Sequence, residues 1–149
     1  MTSTVPATID EAHIRELVTG QEAAMRARDA EWLASRYAPE AVTFTLAPPL
    51  RNADVLDADW LRTWFSGFAG PIDFEVRDLT VTAGEDVAFC HSLNRLSATP
   101  QGSPEGFELW FRATVGLRKV DGAWRITHEH TSTPFYMDGS FASAVDLTP

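Results

Sequence analysis

His128 and His130 are the residues whose type and spacing most directly suggest chemistry. Residues two apart on a strand share a face, so Trp124, Ile126, His128, His130 and Ser132 read as one row, apolar at its start and polar at its end. A neutral imidazole accepts a proton near neutral pH and a charged one returns it, which suits such a row to proton transfer in a pocket wall. The competing reading is a pair of structural histidines bonded to neighbouring strands. A His-x-His pair could also begin a metal site, but a catalytic metal needs a third ligand. Nothing in the sequence brings His91 or Glu108 to the pair, and no metal is expected.

Arg112 lies in an aromatic strand beside Trp110 and Phe111, where a guanidinium needs a carboxylate or an anionic, enolate-like ligand. Its face depends on the hairpin at Asp121-Gly122. A two-residue turn pairs Val120 with Ala123, puts Phe111, Ala113 and Val115 on the histidine face, and turns Trp110 and Arg112 away. A bulged turn shifts the pairing by one and brings Trp110 and Arg112 to the histidines. The apolar odd-numbered row favours the first register. Asn94 is a candidate pocket hydrogen-bonder or an ordinary mid-strand amide, and Asp59 a capping residue or a group at the pocket mouth. Trp64 and Phe65 belong to a helical stripe that can serve core and pocket together. Phe44 and Thr45, just before a Pro pair, and Ser132 complete the candidate substrate contacts.

The elements that must position these groups follow from periodicity and punctuation. Thr8 and Glu11 form a capping box before a helix over about 9–28, with Gly20 its weak point. Asp29 caps a second helix carrying Trp32, Leu33 and Tyr37, which must stop before Pro39. Val42, Phe44 and Leu46 alternate as a short strand, and Asp57 caps a third helix with the stripe Trp60, Leu61, Trp64, Phe65 and Phe68. Four long strands follow, with a change of parity near Arg77-Asp78 that predicts a β-bulge. The pattern predicts one α+β domain over 1–149, with 1–8 and about 135–149 irregular. Long, bulged strands curl, and a curled antiparallel sheet can wrap three N-terminal helices as a half-open cone that encloses a pocket.

Composition narrows the function classes. The 149 residues carry 12 Lys plus Arg against 21 Asp plus Glu, a net charge of −9. So acidic a surface repels phosphate backbones and anionic membranes, which argues against nucleic-acid and membrane partners. Cys90 is the only cysteine, so no internal disulfide can form. There is no signal-peptide pattern at the start and no apolar run long enough to span a bilayer, so a soluble cytoplasmic protein is expected. No phosphate-cradling glycine loop and no nucleophile elbow occur, so no cofactor is expected.

Trp110–Thr114, Arg118–Ile126 and His128–Phe135, with Phe44–Leu50 and Asp78–Gly84, resemble the SnoaL-like, ketosteroid-isomerase-like branch of the nuclear transport factor two superfamily over nearly the whole chain. The resemblance implies a cone-shaped, cystatin-like α+β roll and a homodimer packed through the outer sheet face. Members include isomerases, polyketide cyclases, dehydratases, epoxide hydrolases and proteins that only bind partners. Where members often carry an Asp, this chain has Thr45, which cannot act as a carboxylate base. Two readings follow. One is a cofactor-free acid/base enzyme acting on a small lipophilic carbonyl or polyketide-like molecule, with His128 or His130 moving the proton and Asn94 or Arg112 stabilising an enolate. The other is a non-catalytic ligand-binding or scaffold dimer.

Overall fold

The computed structural model describes residues 8–52 and 56–149. Its elements run α1 (Ile9–Thr19), α2 (Gln21–Ala27), α3 (Ala30–Ser35), β1 (Tyr37–Phe44), α4 (Ala58–Ser66), β2 (Phe68–Ala83), β3 (Val87–Pro100), β4 (Phe107–Val120) and β5 (Ala123–Ser132). The helices begin where capping chemistry places them. Thr8 Oγ1 accepts from Glu11 N at 3.1 Å, Asp29 Oδ1 from Trp32 N at 3.1 Å and Asp57 Oδ1 from Trp60 N at 2.8 Å.

Two boundaries differ from expectation. The helix over 9–28 is two helices, broken at Gly20. A Cβ at Gly20 would lie 2.6 Å from the Trp32 ring and 2.7 Å from Glu16 O, so the break is where the indole closes onto bare backbone. Tyr37 is not helical. α3 ends at Ser35 and Tyr37 opens β1, well before the expected start near Val42. Pro39 biases its predecessor to extended backbone and is tolerated because β1 is an edge strand.

The five strands form one mixed sheet in the order β1-β5-β4-β3-β2, with β1 parallel to β5 and the other pairs antiparallel. The anticipated bulge in β2 is present: the register shifts between Arg77 and Thr80, and Asp78 takes φ 56°. The helices cover one face of the sheet. Ile14 and Val18 of α1 pack on Cys90, Val115, Leu117, Trp124 and Ile126, while Met25, Leu33, Leu61 and Phe65 pack with Ile72, Phe74, Leu96 and Phe111. Beyond Pro134 the chain forms turns with a single bridge, Phe135 to Ser143. Among the described residues no helix is long and apolar enough to cross a membrane.

A second bulge, in β5, decides the site. The Asp121-Gly122 turn is the two-residue kind, with both residues at positive φ and Val120 opposite Ala123. Leu117 pairs with Ile126, but the next pair is Gly116 with His128, leaving Thr127 unmatched. One extra residue reverses every later side chain. Trp124 and Ile126 point into the core, and beyond Thr127 the inward positions are Glu129 and Thr131.

Candidate functional site

Between the helices and the inner sheet face lies a cavity of about 500 Å³. Its wall is largely apolar: Met25 and Leu33 from the first helices, Trp60, Leu61 and Trp64 from α4, and Phe74, Leu96 and Phe111 from the sheet. The loop after β1 closes one side with Leu46, Ala47 and the cis-linked pair Pro48-Pro49. Few polar groups interrupt this lining, and they fall into distinct clusters.

Tyr37 and Glu129 form the first cluster. β1 and β5 run side by side, and Tyr37 Oη donates to Glu129 Oε1 at 2.7 Å. Burial, then the adjacent Glu129 charge, pushes the Tyr37 pKa well above the ordinary tyrosine range, so the phenol keeps its proton and remains a donor. Arg36 backs the phenol ring. Its buried guanidinium donates to Leu33 O at 3.2 Å and Leu17 O at 3.1 Å, and it stacks 5.4 Å from the Trp32 and Tyr37 ring centroids. Those carbonyls lie near the C-terminal ends of α3 and α1, where a cation is favoured. Thr43 stands opposite Glu129 in the parallel register, and its enclosed Oγ1 has no hydrogen-bond partner among the described residues. Cys90, in the same sheet row, has its thiol pushed up to about 11 by burial and then by Glu129, so it remains an unreactive thiol.

Asn94 and Gln21 form a second cluster. Asn94 is 3% exposed and its Oδ1 accepts from Ser92 Oγ at 2.9 Å; Gln21 reaches the same cavity from α2. Thr45 lines the mouth, its hydroxyl 3.2 Å from Ala47 O and 3.4 Å from Asn52 Oδ1.

The anticipated site residues divide between the two sides of the sheet. Asn94, Thr45 and Trp64 line the cavity. Phe65 does not; it is 3% exposed in the core cluster under α4. Asp59 is on the surface, paired with Arg62 at 2.6 Å. The expected histidine row does not wall the cavity, because the Thr127 bulge turns His128, His130 and Ser132 to the outer face. There Phe44 packs edge-on against both imidazoles, at 4.9 and 5.4 Å, and His128 Nδ1 contacts Val42 O at 2.7 Å. Arg112 does share the histidines' face, as a shifted register required, but the shift lies within the strand and the face is outward. Its Nε donates to Ser132 Oγ at 3.2 Å. Trp110 is on that side too, under Arg77 at 4.6 Å. Among the described residues, no group of three or more His, Cys, Asp or Glu side chains is arranged to hold a metal ion.

Glu129 and Tyr37, like Gln21 and Arg36, are cavity residues that the sequence reading missed. The available signal was parity. Trp124 and Ile126 are apolar, Thr131 is β-branched, and a bulge between them would have put the intervening Glu129 inside. Chemically, a carboxylate held by a phenol in an apolar cavity can take a proton from carbon or oxygen and return it; once the carboxyl is protonated, the phenol's single O–H is released to donate to developing negative charge.

Comparison with known proteins places most of the chain. Over 94% of its length it superposes on 96% of a nuclear transport factor two-like protein of unknown function from Pseudomonas putida, with 33% identity and a TM-score of 0.80. A ketosteroid isomerase-like protein from Erwinia carotovora atroseptica matches at 19% identity and TM-score 0.67, covering 84% of this chain and 96% of that one. A type 2 hexachlorocyclohexane dehydrochlorinase matches at 14% identity and TM-score 0.70, covering 82% and 83%. None of the curated proteins searched matches significantly. The model of the SnoaL-like domain matches residues 14–136, which together with the cavity beneath a curved mixed sheet means that the chain belongs to the SnoaL-like domain family.

Proposed function

We propose that the protein is a cofactor-free acid/base enzyme of the isomerase, cyclase or dehydratase type, acting on a small lipophilic carbonyl or polyketide-like molecule. The observation that carries this reading is the Tyr37–Glu129 hydrogen bond inside a mostly apolar cavity. Glu129 takes the role first assigned to His128 and His130: it removes a proton next to a carbonyl and redelivers it one position away or to a leaving oxygen. Tyr37 holds the carboxylate before the transfer, and its single O–H turns to the developing charge as Glu129 takes the proton. The fold neighbours described as an isomerase-like protein and a dehydrochlorinase support chemistry of this general kind. The outer face, with Phe89 and Val87 each more than half exposed, supports a homodimer packed through the sheet.

The test follows α-proton exchange and isomerisation of small cyclic enones by NMR in deuterated buffer, with wild type and Glu129→Gln. Turnover by wild type that the substitution abolishes is the expected result. Turnover unaffected by Glu129→Gln overturns the assignment. Saturable binding without exchange by either protein favours the ligand-binding reading, which Thr45 supports by leaving the β1 end without a carboxylate.

A further inference from the structure

The polar groups of the cavity do not all serve the Tyr37–Glu129 pair. Glu129 stands opposite Val115, and Val115 opposite Cys90. Asn94 is therefore two strands across from Glu129 and, past Ser92, two inward positions further along. Apolar side chains, among them Phe111 and Leu96, line the cavity with it. α2 packs over this region: Glu22 accepts from Val76 N at 3.1 Å, and Val76 is the register partner of Asn94. Gln21, the preceding residue, is 9% exposed and lines the same cavity.

The hydrogen bonding of Asn94 is one-sided. Its Oδ1 accepts from Ser92 Oγ at 2.9 Å, and Ser92 is itself 7% exposed. Its Nδ2 has no protein partner among the described residues, and neither has the Gln21 amide. The only enclosed side-chain polar atom left without a partner among those residues is Thr43 Oγ1. The free Asn94 donor is thus not sealed in the core but opens onto the cavity. Facing the cavity, that donor is available to an acceptor oxygen of a ligand.

We propose that Asn94, oriented by Ser92 and assisted by Gln21, is a second subsite that binds a hydrogen-bond-accepting oxygen of the substrate, remote from the reacting end. The substrate class is then a lipophilic molecule with two polar ends: a proton-active group at Glu129 and a carbonyl or hydroxyl oxygen at Asn94. This inference rests on the reading of the cavity as the active site, and it names the substrate class for that site.

The test is calorimetric titration with two probes of matched shape, 6-acetyl-2-naphthol and 6-ethyl-2-naphthol. Each carries a hydroxyl that can donate to Glu129, but only the first carries a distal acceptor. Wild type is expected to bind the acetyl compound about tenfold more tightly, and Asn94→Leu to reduce the preference to within about twofold. Ser92→Ala, which frees the amide to turn, is expected to lower the preference without weakening the ethyl compound, and it serves if Asn94→Leu fails to fold by circular dichroism. Equal wild-type affinity for both probes, no binding of either at millimolar concentration, or a preference that survives Asn94→Leu would overturn the subsite. Glu129→Gln separates the two questions. If it leaves proton exchange intact while the Asn94-dependent preference persists, the acid/base reading falls and the subsite stands. If it abolishes exchange while the preference ignores Asn94, the reverse holds.

Discussion

The two faces of the sheet carry the same kinds of residue and put them to different use. Inside, Glu129, Thr131 and Asn94 share a cavity with Trp64 and Phe111. Outside, His128, His130, Ser132 and Arg112 lie on a surface with Phe44 and Trp110. In β5 the two sets are interleaved residue by residue, and Thr127 alone decides which set is enclosed. The contrast shows that a chemically suggestive residue type matters less than its environment. Inside, low dielectric and few competing partners strengthen each polar contact; outside, water screens it.

The largest expected effect tests this contrast directly. Glu129→Gln should lower kcat by about a hundred- to ten-thousandfold, the usual range for loss of a general acid or base, whereas His130→Ala should change it by less than about twofold. Steady-state kinetics on the same enone resolves the two, and a large loss in His130→Ala would restore the outer face as a candidate site. A second break is structural. Deleting Thr127 removes the extra residue, and Ile126, His128 and Glu129 then alternate inward, outward and inward without a bulge, so both faces should keep their residues. With no polar group newly buried, the cost should be about 1 kcal/mol, that of a typical single change. Urea denaturation measures it, and a loss above about 3 kcal/mol would show that β5 needs the bulge itself to keep its two faces apart.

Two smaller effects sharpen the comparison. Thr43→Val removes an enclosed hydroxyl that has no partner, so stability should be unchanged or rise by up to about 1 kcal/mol in thermal unfolding. A clear loss would reveal an unseen partner for Oγ1. On the outer side, Asp73 accepts from Arg95 at 2.6 Å and Arg26 at 2.8 Å, and these bonds lower its pKa to about 2. A carboxylate with a depressed folded pKa stabilises above its unfolded value, near 4, and loses that contribution as pH falls toward 2. Asp73 is 45% exposed, so the effect is expected to be only a few tenths of a kcal/mol. Asp73→Asn should flatten that part of the acid denaturation curve.

Much of the fold was legible from local signals. The caps at Thr8, Asp29 and Asp57, the bulge near Asp78 and the Asp121-Gly122 turn each rest on chemistry within a few residues. Asn94, Thr45 and Trp64 were identifiable because alternation or helical spacing runs unbroken up to them. The misreadings occur where a distant contact overrides the local pattern. Gly20 breaks a helix because Trp32 lies against it, and Tyr37 leaves the helix to pair beside β5.

By itself, the sequence determined the family, the order of strands and most helices, and the presence of chemically capable side chains, because those depend on short-range propensity and recurring motifs. Which face each side chain takes was decided only in the tertiary structure. Strand alternation has a period of two, so one unpaired residue inverts everything after it, and whether a bulge forms depends on the partner strand. The Tyr37–Glu129 pair joins residues far apart in the chain, and only the closed sheet brings them within a hydrogen bond.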